Sequence, residues 1–464
     1  MKTSNPVLRS TLAALALALS ACASLPDTGR ELERQPAQPV AFEGAHGSVS
    51  AGKSEAIIEK LDGGHQEQDV LAAHLAQEQA INPDTPLVLG NKLTLLQNGP
   101  ATYAAMFAAI KAATDHINLE TYIFEDDAVG QKFADLLLVQ QAAGVKVSII
   151  YDGVGGQPTA QAFFDRLTAG GIQVLQFNPV NPLAPHSKTW RINNRDHRKL
   201  LVIDGRIAFV GGVNISSDYS SAPSGGQRVQ ASGKPSGWRD THVQIEGPVV
   251  AEFQKLFVAT WAKQKGKQLD TENYLPKLAP LGDEIVRAIG SAPTDPQSLI
   301  YLTLMSAIAH AQTQVHLTIA YFAPDPQLLK ALIDAAHRGV DVSLILPSHS
   351  DSWPIFNLGR SFYSELLRGG VKIQERRGAV MHSKTACIDG VWSTIGSTNL
   401  DWRSFLHNDE INAVILGRGF AAQMEAMFAQ DLAESDAIDL KQWQQRPLSS
   451  RLKEWTARRG EYWL

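Results

Sequence analysis

The sequence predicts an α/β protein in which one domain occurs twice, as two mixed sheets flanked by helices that pack pseudo-symmetrically around a single site. Three observations lead to this prediction. Strands alternate with helices in two successive runs, each run contains the stretch His-x-Lys-x4-Asp-Gly, and in both runs an Asn follows the His by 17 residues. Such alternation indicates a sheet covered by helices, and its return in the same order indicates a duplicated domain.

The chain begins with a targeting segment, which we assign to residues 1–21. Positive charge precedes an apolar run at 11–19 that is too short to span a bilayer as a stable helix. The sequence Leu19-Ser20-Ala21-Cys22 follows and resembles the bacterial lipoprotein signal. The resemblance implies a lipid anchor at Cys22 and, because Ala23 follows instead of Asp, an outer-membrane location facing the periplasm. A plain secretory peptide and an uncleaved anchor are the alternatives.

The segment before the repeat, residues 22–85, is polar and carries Pro, Gly and Gln, so it is predicted to be a tether with short helices at 54–61 and 68–79. The remaining boundaries are 86–280 for the first half, 281–435 for the second half and 436–464 for a basic, aromatic tail.

Each half is predicted to contain three helix–strand pairs. In the first half the helices lie at 101–113, 129–143 and 160–169, and the strands at 117–124, 145–151 and 172–177. In the second half the helices lie at 304–311, 328–338 and 362–368, and the strands at 315–322, 340–346 and 371–374. Apolar residues at helical spacing and runs of branched residues support these ranges. Tyr122 matches Tyr321 and Gly144 matches Gly339 across the repeat, which indicates that the two motifs face each other across one interface.

The repeated stretch carries residues suited to phosphate chemistry. They are His197, Lys199 and Asn214 in the first half and His382, Lys384 and Asn399 in the second. Lys and Asn side chains donate to phosphate oxygens. Because an imidazole has a pKa of about 6.5, one His can be neutral and attack phosphorus while the other is protonated and donates to the leaving alkoxide. This chemistry needs no cofactor, and Lys beside His is a poor metal shell because its charge repels the cation.

The paired stretches resemble the phospholipase D superfamily, whose signature is the paired His-x-Lys-x4-Asp motif, and within it the bacterial cardiolipin synthases. Leu119–Phe124 and Gly396–Ser404 add to the resemblance, which covers roughly residues 85–435. It implies that His197 is the nucleophile and forms a phosphohistidine, and that His382 is the acid and then the base. It also implies that Lys199, Lys384, Asn214, Asn399 and Ser397 hold the phosphate oxygens. The two motifs are nearly equivalent, so the residues alone do not assign the two His roles.

Carboxylates are expected in two further roles. The family takes the acid that orients each catalytic His from a strand downstream of the Asn, which here implies Glu410 in the second half and Asp240 in the first, with Asp409 and Asp218 as alternatives. The motif acids Asp204 and Asp389 belong to the family's catalytic signature. At strand rise, however, four residues beyond the Lys is too far to reach the same phosphate. We therefore expect them to hold turns without taking part in bond chemistry.

The resemblance implies a transferase that makes cardiolipin from phosphatidylglycerol, with phosphatidylglycerol or phosphatidylethanolamine as the phosphatidyl donor. The alternatives are a phospholipase D hydrolase that releases phosphatidic acid, a nuclease of the same superfamily and a non-catalytic envelope scaffold. The net charge of −5 and the lipoprotein-like signal argue against the nuclease. The expected partners are phospholipids and a membrane surface, which the basic stretches at 186–206 and in the tail could contact.

Two remaining features complete the prediction. An insertion rich in Gly, Ser and Pro at Ser216–Gly237 lies near the expected mouth of the pocket and could set the choice of acceptor. Cys387 lies in the apolar strand of the second motif and is expected to be a small buried hydrophobic residue.

Overall fold

The computed structural model describes residues 24–34, 38–62, 70–181, 187–188, 190–220, 237–269, 273–295 and 297–461. The predicted signal peptide, Cys22, most of the insertion, Tyr462 and Trp463 lie outside these residues. Before the first half, the described elements are α1 (Thr28–Arg34), β1 (Phe42–Gly44), β2 (Gly47–Ser48), α2 (Ala51–Asp62) and α3 (Val70–Ile81).

The first half follows the predicted order. Its elements are β3 (Leu87–Gln97), α4 (Asn98–Ala112), β4 (His116–Thr121), α5 (Ala128–Ala142), β5 (Lys146–Asp152), α6 (Gln161–Ala169), β6 (Gln173–Phe177), β7 (Arg195–Asp196), β8 (Lys199–Ile203), β9 (Ile207–Gly211), a 3-10 turn (Ser217–Tyr219), β10 (Trp238–Arg239), β11 (Thr241–Glu246) and α7 (Val250–Lys263).

The second half repeats this order and ends in a short C-terminal unit. Its elements are β12 (Glu284–Ser291), α8 (Leu299–His310), β13 (Gln314–Ile319), α9 (Pro326–His337), β14 (Asp341–Pro347), α10 (Trp353–Ser361), α11 (Tyr363–Arg368), β15 (Lys372–Arg376), β16 (Val380–Met381), β17 (Lys384–Ile388), β18 (Trp392–Gly396), α12 (Trp402–Leu406), β19 (Asn408–Leu416) and α13 (Arg418–Ala433). The C-terminal elements are β20 (Ser435–Ala437), α14 (Leu440–Gln444) and α15 (Leu448–Arg458).

The two sheets have matching strand orders. In the first half the order is β6-β5-β4-β8-β9-β11-β3, and in the second it is β15-β14-β13-β17-β18-β19-β12. The first three strands of each order are parallel to one another. The motif strands pair antiparallel with the third of them, β8 with β4 and β17 with β13. Antiparallel pairing of β3 with β12 joins the two sheets at their centre. The predicted duplication and mixed sheets are therefore confirmed.

The motif acids hold turns, as expected. Asp204 and Gly205 both have positive φ, and so do Asp389 and Gly390, which is the geometry of a tight hairpin turn. The Asp204 carboxylate accepts bonds from the backbone N–H groups of residues 114–116, at 2.8–3.0 Å. The Asp389 carboxylate accepts the equivalent bonds from residues 312–314. Each acid therefore ties the end of its motif strand to the start of the neighbouring strand.

The prediction of a polar tether is wrong for residues 70–85. Helix α3 forms, close to the predicted range, but it packs on the second half. His74 Nε2 lies 2.9 Å from Asp389 Oδ2, and Glu78 accepts bonds from Trp392 Nε1 at 2.8 Å and Arg287 Nη1 at 3.0 Å. All of these side chains are buried. Composition alone suggested solvent exposure, whereas the polar side chains of α3 find their partners inside the protein.

We expect His74→Ala to destabilise the fold, because it removes a buried partner of the turn that ends the second motif. The expected loss is about 1–3 kcal/mol in the free energy of unfolding, measured by urea denaturation. The matched control is His46→Ala, at an exposed position, which should leave the free energy unchanged. Equal effects of the two variants would contradict this role for α3.

The C-terminal residues fold against the second half. Trp443 is buried beside Tyr363, with ring centroids 4.9 Å apart, and α15 packs on α10. The outer side of α15 exposes apolar side chains, namely Leu448 (78% exposed), Leu452 (62%) and Trp455 (57%). Within the described part of the chain, no helix is long and apolar enough to cross a membrane. Cys387 is buried, as predicted.

Candidate active site

The two motif histidines line one cleft between the halves. His197 and His382 are 7% and 4% exposed, and the cleft has an empty volume of about 870 Å³. Both halves contribute to its wall. The lining residues are Tyr122, Ile123, Arg195, His197, Asn214, Trp238, Tyr321, Asp351, Ser352, Ile355, His382, Asn399, Asp401, Arg403, Ser404 and Asn408. The duplicated sequence thus forms a single shared site.

Each histidine is held by a carboxylate from the other half. His197 Nδ1 lies 3.1 Å from both oxygens of Glu410, and His382 Nδ1 lies 2.7 Å from Asp240 Oδ2. The sequence prediction identified both carboxylates but paired each with the His of its own half, and that pairing is wrong. The alternative Asp409 contacts Lys263 Nζ at 3.0 Å instead, and Asp218 lies in the 3-10 turn after β9.

Short strands that cross the interface cause this exchange. Strand β7 runs parallel to the start of β19, and the His197 N–H donates to the Asp409 carbonyl at 2.9 Å. In the same way β10 runs parallel to β16, and the His382 N–H donates to the Arg239 carbonyl at 2.8 Å. In each pairing the histidine N–H bonds to the residue just before a carboxylate. His197 therefore lies beside Glu410, and His382 lies beside Asp240. The two halves therefore complete one another.

The residue behind each carboxylate differs between the halves. Ser397 Oγ donates to Glu410 Oε2 and accepts from the Ile411 N–H at 3.0 Å, so this hydroxyl is buried behind the carboxylate and away from the cleft lining. At the equivalent Gly212, a Cβ would lie 2.2 Å from Asp240 Oδ1. Asp240 is shorter than Glu410, so the backbone of residue 212 lies closer to the carboxylate and leaves no room for a side chain at that position. Ser397 was predicted to hold a phosphate oxygen, but its hydroxyl binds Glu410 instead.

The two lysines lie beneath the imidazoles. Lys199 Nζ donates to the His197 carbonyl at 2.6 Å. Lys384 Nζ donates to the His382 carbonyl and lies 3.0 Å from His382 Nδ1. Burial lowers the pKa of Lys199 to about 7 and that of Lys384 to about 8. A phosphate in the cleft would restore the charge of both, because a nearby anion favours the protonated amine.

The two asparagines line the cleft but differ in their hydrogen bonds. Asn214 Oδ1 accepts from the Ile123 N–H at 3.2 Å, and its Nδ2 donates to Tyr219 Oη at 3.0 Å. Asn399 Oδ1 is buried without a hydrogen-bond partner among the described residues. A phosphate oxygen needs a donor, so it would bind an amide Nδ2 and not Oδ1, and Asn214 keeps one of its two Nδ2 N–H groups for this purpose.

Aromatic residues around the histidines were missed by the sequence prediction. Tyr219, at the start of the insertion, places its Oη 3.2 Å from His382 Nδ1. Trp238, at the other end of the insertion, has its ring centroid 4.8 Å from that of His382. Tyr122 and Tyr321, matched in the repeat, lie edge-on to His197 and His382 at 5.2 and 5.9 Å. The repeat match was the one signal that could have indicated the last two.

Burial favours the neutral form of both imidazoles. Burial lowers the pKa of His197 to about 4, against the opposing effect of Glu410. Burial and then the charges of Lys384 and Lys199 lower the pKa of His382 well below its usual range. That one histidine can be neutral and the other protonated near pH 7 stays a prediction for the phosphate-bound site. A phosphodiester anion would raise both pKa values.

Buried neutral histidines should make the free energy of unfolding fall at low pH. His242 lies outside the catalytic pair, so it can be used to measure this dependence separately. Burial lowers the pKa of His242 to about 3, against about 6.5 in the unfolded chain. Below pH 6.5 the unfolded chain binds the extra proton, so stability is lost as the pH falls. We expect His242 to account for about 2 kcal/mol of the loss in unfolding free energy between pH 7 and 5.

Urea denaturation at the two pH values measures this dependence. His242→Gln should reduce the drop by that amount, while the exposed control His46→Gln should leave it unchanged. An equal drop in wild type and His242→Gln would refute the assignment.

Within the described ranges, no group of three or more His, Cys, Asp or Glu side chains is arranged to hold a metal ion. The basic stretch at 186–206 is only partly a surface. Arg195, Arg198 and Lys199 are buried, and Arg198 donates inward to the Glu410 carbonyl at 3.0 Å. Arg198 therefore does not belong to a lipid-facing surface, whereas Arg195 lines the cleft, so the prediction that this stretch holds an anionic headgroup stays a prediction for part of it.

Two motif copies that share one cleft, each with a histidine held by a carboxylate, define a phosphodiester-processing site of the phospholipase D type. The family model described as "Cardiolipin synthase, PLD-like domain" matches residues 106–222 and 304–432. A cardiolipin synthase of Geobacillus sp. (strain WCH70) is 36% identical over 411 residues, which are 88% of this chain and 78% of the relative. The chain therefore belongs to the cardiolipin synthase family of phospholipase D-like proteins.

Other relatives agree with this assignment. Cardiolipin synthase A of Pseudomonas putida (strain KT2440) is 36% identical over 353 residues, covering 76% of this chain and 70% of that protein. Among solved structures, phosphatidylserine synthase of Haemophilus influenzae Rd KW20 superposes with a TM-score of 0.60 at 14% identity. It covers 84% of this chain and 100% of its own, and at this identity it shows the fold alone.

Proposed function

We propose that the protein is a phosphatidyltransferase that forms cardiolipin from phosphatidylglycerol through a phosphohistidine intermediate. The observation that carries the proposal is the pair of buried histidines in one cleft, each with Nδ1 held by a carboxylate of the opposite half. This arrangement directs Nε2 of each ring toward the cleft. The cardiolipin synthase relatives support phosphatidylglycerol as the substrate.

The first step transfers the phosphatidyl group to the enzyme. Neutral His197 attacks phosphorus through Nε2, forming a P–N bond as the P–O bond to the headgroup alcohol breaks. The charge of the bound phosphodiester favours protonation of His382, which then donates its Nε2 proton to the departing oxygen. Lys199, Lys384 and Asn399 stabilise the charge that develops on the phosphate oxygens.

The second step returns the phosphatidyl group to an acceptor. The hydroxyl of a second phosphatidylglycerol loses its proton to neutral His382 and attacks phosphorus, and the P–N bond to His197 breaks. With phosphatidylglycerol as donor the released alcohol is glycerol, and with phosphatidylethanolamine it is ethanolamine. Water as acceptor gives phosphatidic acid instead, which is the hydrolase alternative.

We infer that the enzyme works at a membrane surface in the bacterial envelope, anchored through Cys22 at the outer membrane. Helix α15 supports membrane contact, because exposed Leu448, Leu452 and Trp455 lie among basic residues. Arg459, for example, lies 4.8 Å over the Trp455 ring. Apolar and aromatic side chains mixed with cations suit an anionic lipid interface. Sedimentation with phosphatidylglycerol vesicles tests this, and Leu452→Asp should weaken the binding.

Lipid analysis of the purified protein without its signal segment tests the reaction. It is mixed with phosphatidylglycerol vesicles, with and without phosphatidylethanolamine, and the lipids are read by mass spectrometry. We expect cardiolipin, with either glycerol or ethanolamine released, and equal yield in a chelator. Phosphatidic acid alone would establish the hydrolase, and unchanged lipids with cleavage of nucleic acid would establish the nuclease.

A further inference from the structure

Arg195 is a buried cation whose side chain has no hydrogen bond to the part of the chain that the structure describes. Its side chain lines the cleft and is 1% exposed. None of its Nε, Nη1 and Nη2 atoms has a hydrogen-bond partner among the described residues. The nearest carboxylate oxygen, Asp152 Oδ1, is 3.6 Å from Nη1, which is an ion-pair distance beyond a good hydrogen bond.

Asp152 is satisfied without Arg195. Its carboxylate accepts from the N–H groups of Val154 at 2.7 Å, Gly155 at 3.1 Å and Asp196 at 2.8 Å. The guanidinium therefore keeps five donors unused in a buried place, although its charge lies near that of Asp152. Burying a charge without hydrogen bonds costs free energy, and a bound anion would recover it.

Arg195 sits beside the reacting histidine. It lies two residues before His197, and alternate residues of an extended segment share a face, which agrees with both side chains lining the cleft. A guanidinium matches the paired oxygens of a phosphate through two parallel hydrogen bonds. The position therefore suits a phosphate bound near His197.

Charged side chains of both signs surround the two tyrosines of the cleft. Burial and then the charge of Asp152 raise the pKa of Tyr122, whereas Arg403 and Arg195 act to lower it. Tyr321, its counterpart in the second half, donates to Asp351 Oδ1 at 2.7 Å, and Asp401 also lies near it. Arg195 thus lies among the charged groups around Tyr122, and its unused donors are available to an additional anion there.

We propose that Arg195 binds the phosphate of the acceptor phosphatidylglycerol and thereby selects an anionic lipid over small neutral acceptors. The inference rests on the proposed function. In cardiolipin a glycerol bridge joins two phosphates, so the acceptor carries a second phosphate a few bonds from the hydroxyl that attacks. Arg195 would hold this group while the first phosphate is bound between the histidines.

Competition between two acceptors tests this role. The full mature chain is given phosphatidylglycerol vesicles and isotope-labelled glycerol, and mass spectrometry measures cardiolipin and labelled phosphatidylglycerol in the same reaction. Both products pass through the phosphohistidine, and only cardiolipin requires the acceptor phosphate. In Arg195→Gln the ratio of cardiolipin to labelled phosphatidylglycerol should fall about 30-fold or more.

Two further variants keep the result interpretable. Arg191→Gln removes an exposed arginine in the same segment and should keep the wild-type ratio. Arg195→Lys keeps the charge without the bidentate geometry, so it should give an intermediate ratio, and it decides the matter if Arg195→Gln does not fold.

Three outcomes would overturn the inference. Parallel loss of both products would show that Arg195 serves the donor phosphate or the fold. A wild-type ratio in Arg195→Gln and Arg195→Lys would show that it binds no acceptor. Wild-type protein that makes labelled phosphatidylglycerol and no cardiolipin would instead refute the proposed transferase, which separates the two failures.

Discussion

Replacing either cleft histidine with alanine is expected to abolish cardiolipin formation. His197→Ala removes the atom that bonds to phosphorus, and His382→Ala removes the group that moves the proton. Because both act in the same two steps, each single variant should lower turnover by about four orders of magnitude or more, and the double variant little further.

Cardiolipin yield per enzyme, read by mass spectrometry, measures this effect. His337→Ala, on the exposed end of α9, is the matched control and should retain full activity. Thermal unfolding shows whether the inactive variants remain folded. Substantial turnover in folded His197→Ala or His382→Ala would refute the two-histidine mechanism.

Because Glu410 holds His197 and Asp240 holds His382, a substitution at each carboxylate should impair a different histidine. Glu410→Gln should impair His197, and Asp240→Asn should impair His382, each lowering cardiolipin formation by about 10²–10⁴-fold. A phosphodiester with a p-nitrophenolate leaving group needs no proton from His382. With that substrate Asp240→Asn should release p-nitrophenol in a burst close to that of wild type, whereas Glu410→Gln should stay slow.

The burst in a rapid-mixing experiment reports the first step alone. His382→Ala should follow Asp240→Asn, and His197→Ala should follow Glu410→Gln. The reverse pattern, with Glu410→Gln rescued and Asp240→Asn slow, would mean that each carboxylate serves the histidine of its own half. Loss of the burst in all four variants would place both pairs in the first step and contradict separate roles.

Much of the architecture followed from the sequence because the repeat is regular. The motif strands, their flanking helices and the turns at Asp204 and Asp389 depend on local pattern and on the special backbone geometry of Asp-Gly. Asp240 and Glu410 came from the resemblance to the family, which takes an acid from a strand downstream of each Asn.

The partners of these groups depend on contacts between the halves, which local pattern does not contain. The exchange of Asp240 and Glu410 arises from two short cross-half pairings of two residues each. Tyr219 reaches His382 from the edge of an insertion without a counterpart in the second half. The polar side chains of α3 were expected to be solvated, because the sequence does not show that His74 meets buried Asp389 or that Glu78 meets Trp392 and Arg287.

Each carboxylate serves the histidine of the other half, which limits how such a chain could have evolved and whether one half could work alone. A single copy of the repeated unit would hold a histidine and a carboxylate that cannot meet, so it would be inert as a monomer. Two identical copies would complete each other around a two-fold axis and form one shared centre. The present chain has the geometry of such a homodimer fused end to end. Fusion frees each copy to diverge, as Gly212 and Ser397 have done behind their carboxylates.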